Sequence, residues 1–362
     1  MNTNQYQITS KQLRIIIISS QIGLGILTFP SDIAKDVGHD GWISVLLGGI
    51  VFSLLSMLMV LLLRRYGSRS IVDINKLQFG KFFGTVINII FLMYFCTSTF
   101  NGVRLFVEYV KLTVLTNTPP IILTCLLVAT IIYVSYYGLK PVARFCSITY
   151  IGIIATIVVI ILVYQDLNGT FLLPVGKAGV FPLLKETYKT TYALLGPEIV
   201  ALLYPYVSDK ENVLKKTVEA NVITVIFYAV VVVATTALYG EKMLEKTVIP
   251  IINLSRTYYA PIFERIDLFY FALWVPNITS SVGAYFFTAQ IGIKQFFGLK
   301  VDNNLALAIF SIAIIALSRL PKGLNEEELY MTVISISGLS IFGIMVVSYF
   351  LSFLIKRGVD SK

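Results

Sequence analysis

Apolar runs long enough to cross a bilayer follow one another along this chain with only short connections, and that pattern constrains its fold more than any motif does. The runs fall at about residues 12–32, 42–63, 82–109, 119–138, 143–164, 183–206, 216–240, 262–291, 303–319 and 331–354. Ten spans of roughly 20 residues account for most of the 362 positions. Composition agrees, with 56% hydrophobic and only 14% charged residues, where a soluble chain carries about a quarter charged. The sequence therefore predicts an all-α integral membrane protein in a single transmembrane domain, residues 1–362. The first run is expected to be a retained helix rather than a cleaved signal, because many further spans follow it.

Lys and Arg outnumber Asp and Glu, 29 to 20. In a polytopic chain such an excess reports topology. With the N-terminus inside, the inner connections hold about twice as many Lys and Arg as the outer ones, which predicts that both termini are cytoplasmic. Apart from Arg64, Arg65 and Arg69 after the second span, no basic run lies outside the apolar segments, so nucleic acid is not an expected partner. Cys96, Cys125 and Cys146 are widely spaced, and His39 is the single histidine. Neither a disulfide framework nor a metal site is expected. His39, beside Asp36 and Asp40, is expected to be a solvated surface residue. No nucleophile–base–orienter set and no phosphate loop is present, so neither an enzyme nor a bound cofactor is expected.

The turn-rich stretch Gln165–Pro182 divides the spans into five and five, a first repeat over 12–164 and a second over 183–354. An odd number of helices per half forces the second half to enter from the opposite side, the condition for an inverted repeat. Each half is interrupted in its first helix, at Gly23-Leu24-Gly25 and at Gly196-Pro197-Glu198. Pro197 removes a backbone donor and clashes with the preceding turn, so carbonyls near Tyr192, Ala193 and Leu194 lose their helical partners. In hydrocarbon such groups persist only where protein, water or a ligand satisfies them. Paired breaks of this kind mark a transporter-type binding site and suit a zwitterion, with N–H groups for a carboxylate and carbonyls for an ammonium. Glu198, alone near the middle of a span, has three open roles: binding a ligand amine, exchanging a proton, or accepting hydrogen bonds that hold the break open.

Further polar positions could face the same space. In the third span Tyr94, Thr97, Ser98 and Asn101 form a stripe, and Arg104 and Glu108 are spaced to pair on one helix face. The eighth span carries Asn277, Thr279, Ser280, Ser281 and Gly283, then Tyr285 and Thr288. Such side chains line a water-filled route, coordinate an ion or glue helices together. The sixth and eighth spans, with charges near their starts, are expected to be amphipathic or broken.

The Gly23-Leu24-Gly25-Ile26 run followed by Pro30 resembles the first-helix break of the amino acid/polyamine/organocation superfamily, and Gly196-Pro197-Glu198 resembles the Gly-x-Glu of its sixth helix. Length, span number, the early Gly-x-Gly-x-x-x-x-Pro run and Tyr204-Pro205 after the Gly-x-Glu make the chain more similar still to the B subunits of spore germinant receptors. The resemblance implies a five-plus-five inverted repeat in the inner spore membrane, sensing small nutrients such as amino acids together with A and C subunits. It places the ligand against Gly23, Leu24 and Gly25 and against Leu195, Gly196 and Glu198. Thr97, Asn101, Ser280 and Tyr285 join them on geometric grounds. Pro197 stands where related permeases commonly carry an aromatic, a departure that counts against a mobile aromatic gate at that position. The expected function is a nutrient-germinant receptor subunit; a proton-coupled amino acid transporter and a structural subunit without ligand are the alternatives.

Overall fold

A computed structural model describes residues 5–23, 25–258, 265–300, 304–319 and 324–354. Its helices run α1 Ser10–Gln21, α2 Gly25–Val37, α3 Gly41–Arg65, α4 Ile71–Thr113, α5 Pro120–Tyr136, α6 Leu139–Cys146, α7 Thr149–Leu162, α8 Val180–Leu194, α9 Ile199–Leu203, α10 Val213–Leu244, α11 Pro250–Thr257, α12 Ile266–Phe297, α13 Asn304–Leu317 and α14 Leu324–Leu354. Short 3-10 turns at Gly38–Asp40, Tyr164–Asp166 and Gly169–Leu172 carry connections between them.

The first and sixth spans are discontinuous, as expected. The first is α1 and α2, and the sixth is α8 and α9 separated by Leu195–Glu198. The fifth span is also divided, into α6 and α7, and α4 turns sharply at the non-helical Gly80. The eighth span stays one helix, α12, because Pro276 is absorbed within a long rod packed on both sides. By length and composition alone, five stretches are able to cross a membrane: 25–65 (taken across the Gly38–Asp40 turn), 71–113, 139–162, 210–244 and 330–354. Pro120–Tyr136 and Asn304–Leu317 are shorter apolar helices. The remaining spans fall below that measure for a physical reason: two consist of half-helices, and α12 is rich in hydroxyl and amide side chains.

Packing exchanges equivalent helices of the two halves. The second helix of each half, α3 and α10, lie along each other, as do the third helices, α4 and α12. The broken first helix of each half rests on the other half's second helix, α1 on α10 and α8 on α3. Each half's last helix, α6–α7 or α14, rests on the other half's third. This reciprocal scheme places both breaks in the core, while Leu54, Leu126, Ile154 and Ile309 stay on an apolar outer surface suited to lipid.

Two expectations need correction. Arg104 is buried whereas Glu108 is exposed, so the i, i+4 ion pair does not form: the burial of α4 separates the environments of the two side chains. His39 is not solvated but 4% exposed, because the connection between the two halves folds over it.

Below α1 the chain start is clipped to the connection after α9. Ile8 donates to Tyr206 O at 3.0 Å, and Asp209 accepts from Ser10 N at 2.6 Å and Ser10 Oγ at 2.5 Å. Partial burial pushes the Asp209 carboxyl up, but the Ser10 bonds outweigh this and hold it below the usual carboxylate value. The ionised form is the bonded one, so its stabilisation is complete at neutral pH and fades as pH falls below about 4. Asp209→Asn is expected to cost about 1.5 kcal/mol in thermal unfolding at pH 7, and progressively less as pH falls through the lowered Asp209 pKa.

Candidate functional site

The geometry of the two breaks follows from where their backbone groups find partners. Helix α1 closes with Ile22 N donating to Ile18 O at 2.8 Å. Past that point Tyr228 Oη of α10 donates to Gln21 O at 2.9 Å, and Ser281 Oγ of α12 donates to Ser20 O at 3.3 Å. In the sixth span α8 stops at Leu194, whose carbonyl accepts Gln21 Nε2 at 2.8 Å. The same amide nitrogen donates to Asn221 Oδ1 at 3.2 Å, while Gln21 Oε1 accepts Thr224 Oγ1 at 2.9 Å. Gln21 thus binds one broken helix to the other and both to α10.

Glu198 performs the matching task inside the second break. Its Oε2 accepts Gly196 N at 2.7 Å, and its Oε1 accepts Tyr94 Oη at 2.6 Å and Tyr285 Oη at 2.9 Å. The carboxylate is fully buried. Both oxygens are committed, which matches the third of the three roles open for it, holding the break in shape. Gly196 sits at φ 150, and a Cβ there would lie 2.5 Å from Ser20 Oγ and 2.6 Å from Gln21 Cγ. Only glycine lets the second break press its backbone onto the first. A Cβ at Gly23 would overlap Ser281.

Between the breaks lies a cavity of about 60 Å³. Gly25, the first residue of α2, borders it together with Ser20 and Gln21; α4 contributes Ser98 and Gly102, and Leu195, Tyr285 and Ile334 complete much of the wall. Among the described residues no Lys, Arg, Asp or Glu lines it. Its electrostatics come from helix ends, with the positive start of α2 on one side and the negative end of α8 close by. The Ser98 hydroxyl is buried and has no hydrogen-bond partner among the described residues.

Of the residues expected at the site, Gly25, Leu195 and Tyr285 border the cavity. Gly23, Gly196 and Glu198 shape the breaks around it, and Leu24 lies outside the described residues. Thr97 Oγ1 bonds back to Tyr94 O at 2.9 Å. Ser280 Oγ bonds to Asn277 O at 2.8 Å and lies 2.9 Å from Ser19 Oγ. Asn101 is buried away from the lining, with no partner for its amide among the described residues. Sequence reasoning missed Ser20, Gln21 and Tyr228. A signal existed: Ser19-Ser20-Gln21 is a polar triplet inside an apolar run, and Asn221, Thr224 and Tyr228 share one helix face.

Two helices broken at matched places, with a small cavity between their ends, give the chain a transporter-like membrane fold. The crystal structure of MhsT in complex with L-phenylalanine has this fold, with a TM-score of 0.67 at 15% identity over 98% of this chain and 93% of that one. Residues 7–327 match the spore germination protein family, and the chain belongs to it. Among its relatives are spore germination protein YndE of Bacillus subtilis, 28% identical over 93% of each chain, and spore germination protein B2 of the same organism, 26% identical over 99% of this chain and 98% of the other. It is a multi-pass membrane protein of a family that is not an enzyme class.

Removing an acceptor from the break leaves buried donors unpaired. Glu198→Ala is expected to lower stability by about 3–5 kcal/mol, Glu198→Gln by about 2 and Tyr285→Phe by about 1 kcal/mol, measured by thermal unfolding of the purified protein.

Proposed function

We propose that this chain is the B-type, nutrient-sensing subunit of a germinant receptor in the inner membrane of the bacterial spore, with both termini cytoplasmic, built from inverted repeats over residues 12–164 and 183–354. It binds a small amino acid between its breaks, performs no catalysis and passes a conformational change to A and C subunits. The supporting observation is the cavity itself: no charged side chain among its described lining residues, a Ser98 hydroxyl without a partner among the described residues, and helix ends beside it able to hold a carboxylate and an ammonium. A volume of about 60 Å³ takes on the order of four or five water-sized groups, roughly the heavy-atom count of glycine or alanine. MhsT, which binds L-phenylalanine, shows that the fold accommodates an amino acid. A cavity of about 60 Å³ favours a small guest.

Signalling requires that the ligand bind two arrangements of the breaks with different affinity. Gln21 supplies the element to be biased, since it ties Leu194 of one break to the other. Glu198 does not border the cavity and all its bonds are internal, which favours sensing over proton-coupled transport.

Thermal-shift measurement against a panel of amino acids tests this reading. Glycine or alanine is expected to stabilise the protein and L-phenylalanine to leave it unchanged. Ser98→Ala is expected to weaken that ligand five- to tenfold, about 1 kcal/mol, with ligand-free stability within about 0.5 kcal/mol of wild type. No shift with any amino acid would leave only a structural subunit, and pH-driven accumulation of labelled substrate in proteoliposomes would make the chain a permease.

A further inference from the structure

The side of the molecule where the two halves are joined carries a second polar cluster, well apart in sequence from the breaks. His39, in the turn between α2 and α3, is enclosed by oxygen acceptors. Its Nε2 lies 2.9 Å from Pro174 O, and its Nδ1 lies 3.0 Å from Glu241 Oε2 at the end of α10. Neither a carbonyl nor a carboxylate oxygen donates a hydrogen. A neutral imidazole has one N–H and one lone pair, so it satisfies one of these contacts and sets a lone pair against oxygen in the other. Imidazolium satisfies both.

The surroundings fit that charge. Asp40 Oδ1 lies 3.9 Å from Nε2, and Glu241 is 3.0 Å from Nδ1. Lys177 Nζ is 3.7 Å from the same Glu241 oxygen and brings a cation to the cluster. The other elements packed on this turn, α2, α3 and Gly169–Leu172, bring no ion pair to His39 among the described residues. Gly38, at φ 58, presses against Glu241 so closely that a Cβ would lie 2.6 Å from the carboxyl carbon.

What the cluster holds gives it a consequence. Asp40 accepts Gly176 N at 2.8 Å and Ala178 N at 2.9 Å, and Asn168 N donates to Ala237 O at 2.8 Å. The connection between the halves is therefore fastened both to the α2–α3 turn and to α10. Helix α2 begins at Gly25 on the cavity wall and ends at this turn.

We propose that His39 is a proton-binding site whose protonation fastens the inter-half connection to the far end of the broken first helix. Loss of the proton releases either Pro174 or Glu241, and α2 loses an anchor at its outer end. Burial opposes the charged ring, but Pro174, Glu241 and Asp40 outweigh it and raise the pKa above the ordinary 6.5. The added stability is then complete below that value and is lost as pH rises through the folded pKa. None of this depends on which ligand the cavity takes.

Because the chain has one histidine, ¹⁵N-histidine labelling of the full-length protein, with any purification tag removed, reads His39 alone. At pH 6.5 both ring nitrogens are expected to carry protons, with the midpoint of titration above 6.5. Melting temperature is expected to fall by about 3 °C as pH rises through that midpoint. Glu241→Gln should move the midpoint down, and His39→Gln should remove the step. A ring with one proton at pH 6.5, or the same melting step in His39→Gln as in wild type, overturns the proposal. If His39→Gln does not fold, the labelled wild type and Glu241→Gln decide by themselves.

Discussion

Backbone polar groups inside a bilayer have to be paired within the protein, and here two helices stop pairing at the depth of the core. The rest of the structure answers that constraint. Each break is stitched by side chains from elsewhere: Tyr228 and Ser281 serve the first, and Gln21 and Glu198 serve the second. Since Gln21 itself belongs to the first broken helix, the first interruption helps to satisfy the second. Opening the first alone leaves the Leu194 carbonyl of the second unpaired, at a cost of about 1–3 kcal/mol. A cooperative unit of this kind has discrete arrangements rather than a continuum, which a sensor requires.

The constraint also explains the division of labour around the cavity. The buried carboxylate of the second break, Glu198, has its oxygens taken by Tyr94, Tyr285 and Gly196. The space offered to a guest is bounded instead by glycine backbone, serine hydroxyls and apolar side chains. On the proposed function a zwitterion is held by helix ends and hydroxyls, with selectivity left to the room between Leu195 and Ile334.

Much of this was legible in the sequence. The Gly23–Gly25 and Gly196–Glu198 interruptions announce themselves because glycine and proline act locally, through φ and the missing N–H. Five-and-five division and helix order follow from hydrophobic runs. What stayed hidden depends on partners distant along the chain. Gln21 reads as one amide in an apolar run until α8 and α10 pack beside it, 173 positions and more away. His39 reads as solvated because its neighbours are acidic and turn-forming, and only the folded connection with Pro174 shows it enclosed. Arg104 and Glu108 have pairing distance by helical spacing, yet burial differs between them.

The claim that the two breaks hold each other is tested most directly by a double-mutant cycle on unfolding free energy between Gln21→Leu and Glu198→Gln. Shared stitching predicts a coupling of about 1 kcal/mol or more, since both side chains fix the segment from Leu194 to Gly196. Effects that simply add, within about 0.3–0.5 kcal/mol, would show two independent interruptions and contradict the account.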